Sequence, residues 1–256
     1  SLTYENGKNF PSTWKTEIAS TTYMTTTITP ANLTSIKFVA SVPSGYTRIG
    51  TLSTGLPVYK GTTATEIAFI GKKIYAPVNS SSMFKSLTML SNINFSAFDT
   101  SKVTSMRYMF YNCKKLASLN LSNFDTSKVI GMNSMFDHCS NLTSLDLSNF
   151  DTSNVTNMNS MFNSCFELTS LNVSSFDTSK VIDMNNMFYF CRKLASLNLS
   201  SFDTSKVQEM ICMFQNCYLL ESLDLSAFNM VNVTEVTNML NFGSSNKIKT
   251  FKTPYN

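Results

Sequence analysis

Apolar positions recur along this chain every 26 residues. Phe98, Phe124, Phe150, Phe176, Phe202 and Phe228 form one column, and Phe84, Phe110, Phe136, Phe162, Phe188 and Phe214 form a second. Val103 to Val233 keep the same step, as do Met106 to Met210 and Met83 to Met239. A period of this length predicts a solenoid, in which each unit buries its apolar face against the next. In the unit Leu116 to Asn141, Leu119 and Leu121 alternate with polar residues, the two-residue period of a short strand with one buried face. Asp125-Thr126-Ser127 then predicts a turn, since an Asp side chain can accept backbone amides just ahead of it. Val129, Met132, Met135, Phe136 and Cys139 follow at spacings that predict a short helical or irregular return leg.

Energetics require the stacking. About nine side chains per unit point inward, each contributing roughly 1.5–3 kcal/mol when buried. Ordering a unit costs about 1.5 kcal/mol per residue, so a single unit is not expected to fold alone. Six units from Leu90 to about Ser245, at ~4.8 Å per unit, predict a rod roughly 29 Å long.

Composition narrows the function classes. Twelve of twenty Phe and twelve of fifteen Met lie in repeat columns, so their abundance is architectural. Charged residues make up 14% of the chain, against ~25% in ordinary globular domains, leaving Ser, Thr and Asn to supply the polar surface. A net charge of +4, dispersed along the chain, is too small for a nucleic-acid footprint. No apolar run reaches the ~20 residues of a membrane span. Ser1 opens no signal peptide, and the native protein is expected to continue past Pro254-Tyr255-Asn256. With one histidine, His138, the chain lacks the means for most zinc-hydrolase sites and histidine-based triads, so no enzyme, metal or cofactor is expected.

The spacing F-x-x-C-x-x-L-x-x-L-x-L, seen at Phe110, Cys113, Leu116, Leu119 and Leu121, resembles the BspA-type branch of bacterial leucine-rich repeats. The fuller string LSNFDTSKV with MFxxC is similar to the variant of mycoplasma lipoproteins. This resemblance implies a mostly β or α/β leucine-rich-repeat solenoid, with one short parallel strand per repeat. The chain is expected to divide into a Thr/Ser-rich segment at 1–33 with a short helix near Pro11 to Ala19, a small β-rich N-terminal cap at 34–78, the solenoid at 79–245 and a C-terminal cap strand at 246–256. The resemblance also implies an extracellular or cell-surface protein that adheres to a protein or glycan on a host or neighbouring microbe; a monomer is favoured, though the sequence does not fix the oligomeric state. A structural spacer displaying another domain is the alternative.

The remaining columns are read one by one. Cys113, Cys139, Cys165, Cys191 and Cys217 are odd in number and lie on parallel coils, which predicts a buried thiol ladder rather than disulfides or a metal site; Cys212 stands outside it. Asp99, Asp125, Asp151, Asp177 and Asp203 form a second ladder, predicted to cap turns, with Lys102, Lys128, Lys180 and Lys206 diluting their repulsion. Asn-x-Ser/Thr triplets such as those at Asn141 and Asn172 follow from repeat arithmetic, and His138 is expected at the surface. The outward strand positions are monotonous, as in Ser118, Asn120 and Ser122. Variation concentrates around the cysteine, where Tyr111, Lys114, Lys115, Phe166, Tyr189, Phe190, Arg192, Lys193 and Tyr218 fall. This aromatic and basic edge is the candidate partner-binding surface, because Tyr and Arg anchors dominate protein hot spots.

Overall fold

The computed structural model describes residues 74–254 and, before them, the backbone of four short strands. The helix expected near Pro11 to Ala19 lies outside the described residues. Strands β1 (Thr22–Tyr23) and β2 (Thr26–Thr27) pair antiparallel. Next come β3 (Ser35–Val39), β4 (Glu66–Ile70), β5 (Ile74–Tyr75), β6 (Asn92–Asn94) and β7 (Phe98–Asp99). They form two parallel sheets, β3-β4-β6 and β5-β7, with Ile36, Ile67 and Ile93 in register. β8 (Ser144–Asp146) pairs in parallel with β9 (Ser170–Asn172), and β10 (Ser222–Asp224) with β11 (Thr250–Lys252).

Parallel pairing continues outside the strands. Asn79, Ser105, Gly131, Asn157, Asp183, Glu209 and Glu235 bridge in sequence, each to the residue 26 positions on, so the coils lie squarely on one another. The molecule is therefore a leucine-rich-repeat solenoid. Inside it, Phe84, Phe110, Phe136, Phe162, Phe188 and Phe214 stack nearly parallel, with ring centroids 5.4–5.8 Å apart. The Val, Met and Leu columns are buried beside them.

Of the two forms open to the return leg, the irregular one is found, and the described residues contain no helix. Two residues per coil, four apart, adopt left-handed backbone: Tyr108 and Asn112, Ser134 and His138, Ser160 and Ser164 are examples. Met109 N–H closes a turn on Met106 O at 3.1 Å, with Tyr108 at the third position, and Cys113 repeats this on Phe110. That is type II turn geometry, which demands a positive φ there. A helix would bond every amide four residues back. Here alternate amides turn sideways instead: Tyr108 donates to Asn133 O at 3.0 Å, Phe110 to Met135 O at 2.9 Å and Asn112 to Asp137 O at 2.7 Å. The neighbouring coil thus supplies acceptors that a helix would have found within itself.

The strand ladder is broken at two coils. Neither Ser118–Asn120 nor Ser196–Asn198 pairs as a strand. At the residue before each strand, these two coils carry Ala117 and Ala195, where their neighbours carry Ser91, Thr143, Thr169 and Glu221. Thr143 and Thr169 donate their hydroxyls to the preceding coil, to Ala117 O at 3.1 Å and Thr143 O at 3.0 Å. Alanine has no such donor and a poor strand propensity.

At the C-terminal end Thr250 opposes Ser222, where the strict period would place Ile248: the step is 28 residues. Gly243 stands where the column has cysteine; its φ is +83°, and the Tyr218 ring occupies the space a side chain would need.

Candidate functional site

The D-T-S turns are built from two separate devices. Asp125 Oδ1 accepts the Ser127 amide at 3.0 Å and the Ser127 hydroxyl at 2.6 Å. Asp99, Asp151, Asp177 and Asp203 likewise accept the amide of the Ser two residues on. These bonds hold Asp125, Asp177 and Asp203 below the usual carboxylate range, the Ser hydroxyl contributing most and the Ser amide next. Thr between them turns inward and works across coils: Thr126 Oγ1 donates to Asp151 O at 2.9 Å and accepts the Asp151 amide at 2.8 Å. Thr100, Thr152 and Thr204 repeat the exchange, Thr178 donates to Asp203 O at 2.8 Å, and all four are buried. The amide each Asp binds is thus that of Ser, while Thr is committed to the next coil.

Cys113, Cys139, Cys165, Cys191 and Cys217 are buried as thiols rather than disulfides. Each thiol donates to a Phe carbonyl of the preceding coil, from Phe84 O at 3.1 Å to Phe188 O at 3.2 Å. Burial pushes the Cys139, Cys165 and Cys191 thiols well up and Cys217 up to about 12. Cys212 is only half-buried. Among the described residues no three His, Cys, Asp or Glu side chains converge as a metal site.

On the concave face a shallow groove is lined by Asn94, Phe95, Asn120 and Asn123, among others. Three of its asparagines already serve the turns beside them. Asn94 and Asn120 accept the Ser96 and Ser122 amides, and Asn123 Nδ2 donates to Phe95 O at 2.7 Å and Phe98 O at 3.2 Å.

The edge beside the cysteines is different, because its rings gather around cations. Arg192 Cζ lies 4.5 Å from the Phe166 ring centroid and 4.9 Å from that of Phe190. Phe190 meets Tyr189 edge-on at 4.5 Å and Phe166 at 6.2 Å. Lys193 Nζ bonds Glu167 Oε2 at 2.6 Å. Three coils back lie Tyr108 and Tyr111, and Lys85 from the coil before them places its Nζ 5.0 Å over Tyr108 and 4.9 Å over Tyr111. Tyr111 also lies 5.8 Å from His138, whose Nδ1 is 2.5 Å from Asp137 Oδ1. Asp137 is buried, and desolvation raises its pKa against the pull of His138. Lys114 and Lys115 are exposed beside this cluster. Tyr218 is half-buried over Gly243.

The structure thus brings Phe166, Tyr189, Phe190 and Arg192 together, keeps Tyr111 with a separate cluster and leaves Tyr218 apart from both. Sequence reasoning missed Lys85 and Tyr108. The signal was present: Tyr108 is the aromatic in a column otherwise made of Ser82, Ser134, Ser160, Asn186, Cys212 and Asn238.

Comparison with known proteins supplies a family. No curated protein sequence matches the chain. Among solved structures, a leucine-rich-repeat protein of T. pallidum is similar at 17% identity, with a TM-score of 0.35, over 63% of this chain and 78% of that one. Residues 78–171 and 165–253 match the family described as "Mycoplasma protein of unknown function, DUF285". With both matches together covering more than half of its length, the chain belongs to the DUF285 family.

Proposed function

We propose that this solenoid is a non-catalytic recognition module, secreted or displayed at a bacterial cell surface, that adheres through its cysteine-side edge to proteins or glycans of a host or neighbouring microbe. One observation carries the reading: aromatic rings and cations are clustered on that edge, around Arg192 and around Lys85, in coils whose buried columns are otherwise repetitive. A stacked coil keeps its core columns fixed to hold the fold, so chemistry that varies from coil to coil is free to serve contact. Aromatic and Arg side chains are what protein hot spots use, and repeated weak contacts along a rod add up through avidity. The concave face repeats Ser, Asn and Asp, with one oxygen of Asn120, Asp146 and Asn172 accepting an amide of its own turn. That uniform face favours the second reading, a spacer with no ligand of its own.

The test replaces Tyr189, Phe190, Arg192 and Tyr218 together with Ser and measures binding to a panel of extracellular-matrix proteins and glycans. Binding by the native chain that the folded variant loses supports adhesion through the edge. Equal binding by both removes the edge, and no binding by the native chain leaves the spacer.

A further inference from the structure

Left-handed backbone is strained for residues other than Gly; Asn and His tolerate it best, and bulky residues worst. The two left-handed columns mostly respect this rule. At the second of them the coils carry Ser86, Asn112, His138, Ser164 and Asn216, and one coil carries Phe190, at φ 58°. At the first column the exception is Tyr108, at φ 56°. Both of these strained aromatic residues support a cation: Tyr108 lies under Lys85, and Phe190 beside Arg192. A bulky residue kept at a position where sister coils carry Asn, which tolerates this backbone, points to a use outside the fold.

Arg192 has the form of an anion clamp. Its side chain is exposed and its Cζ is held against two rings, while the neighbouring Lys193 is neutralised by Glu167. Among the described residues no carboxylate pairs with Arg192, so its fork of N–H donors remains for a partner. A guanidinium fixed on aromatic faces loses less freedom on binding and can grip a carboxylate with two parallel bonds. The rings decide between ligand classes: a sulfated glycan needs cations, whereas Phe166, Tyr189 and Phe190 around one Arg make a protein hot spot. Tyr111 and Tyr189 are 78 residues apart, three coils of 26, which is about 14 Å at ~4.8 Å per coil. An extended chain covers that distance in four or five residues at ~3.3 Å each.

Resting on the adhesive reading of this edge, we infer that Arg192 on its Phe166–Phe190 seat receives a carboxylate of an extended acidic protein segment. A second carboxylate, four or five residues along that segment, meets the Lys85–Tyr111 cluster and its exposed neighbours Lys114 and Lys115. Panning the whole chain against a displayed library of random twelve-residue peptides tests this. The expected binders carry Asp or Glu pairs at that spacing. Arg192→Lys, which keeps the charge and loses the fork, weakens them roughly tenfold. Phe190→Asn, the residue that two sister coils use, weakens them too while raising the thermal midpoint; a merely structural Phe190 would lower it. Selected peptides without acidic pairs, no selection at all, or affinity indifferent to Arg192→Lys overturns the inference. Matrix-protein binding lost in the four-residue Ser variant but unchanged in Arg192→Lys overturns the clamp alone, and the adhesive edge survives.

Discussion

Threonine at the turn shows how much one atom can hold. Thr152 Oγ1 donates to Asp177 O at 2.9 Å and accepts the Asp177 amide at 2.8 Å, tying two coils from a buried position. Valine has the same shape and is more apolar, yet it would leave both backbone groups of Asp177 without that partner. Thr152→Val is therefore expected to cost about 2 kcal/mol in urea unfolding, the penalty of unmet buried groups. A stabilised variant would show that packing, not the exchange, sets the position. In sequence this Thr reads as part of a turn motif; its bonds to a residue 25 positions on exist only once coils stack. A related gap is Ser201, whose hydroxyl is buried without a partner, while Ser175 one coil earlier bonds Leu147 O at 3.1 Å.

At the level of the strand, the concave ladder breaks where the residue before it is alanine. Where Thr143 and Thr169 lie on adjacent coils, β8 and β9 pair; where Ala117 or Ala195 stands, pairing stops. Ala195→Thr supplies a β-branched side chain and a hydroxyl for Thr169 O, and should raise stability by about 0.5–1 kcal/mol. Amide hydrogen exchange at Ser196–Asn198 checks it: protection should rise in the variant, and unchanged exchange would mean that the break has another cause. The strand positions themselves were legible from the L-x-L alternation. The return leg was not, because apolar spacings of three and four residues serve a helix and a run of type II turns equally well, and only the left-handed residues separate the two.

Across the whole molecule, the repeated turns make stability depend on acid. Asp125, Asp177 and Asp203 titrate below their usual value when folded, so their contribution is complete above about pH 4, where the unfolded carboxyls are also ionised. It is lost as pH falls through the folded values. Asp137, raised by burial, works in the opposite sense, but it is one group against six, since Asp146, Glu221 and Asp224 are lowered as well. Thermal midpoints should therefore fall below about pH 4. The triple variant Asp125→Asn, Asp177→Asn, Asp203→Asn should flatten that fall, since Asn229 already caps its turn with Oδ1 on the Val231 amide at 3.0 Å without titrating. An equally steep fall in the variant would place the acid sensitivity elsewhere. The sequence alone determined the 26-residue period, the inward columns and the varied edge, because each follows from side-chain chemistry repeated at a fixed step. Tertiary structure alone decided that the return leg is not a helix, that Thr binds across coils and that Arg192 sits on Phe166 and Phe190. Those outcomes depend on which atoms of one coil lie opposite the next, and linear spacing does not carry that information.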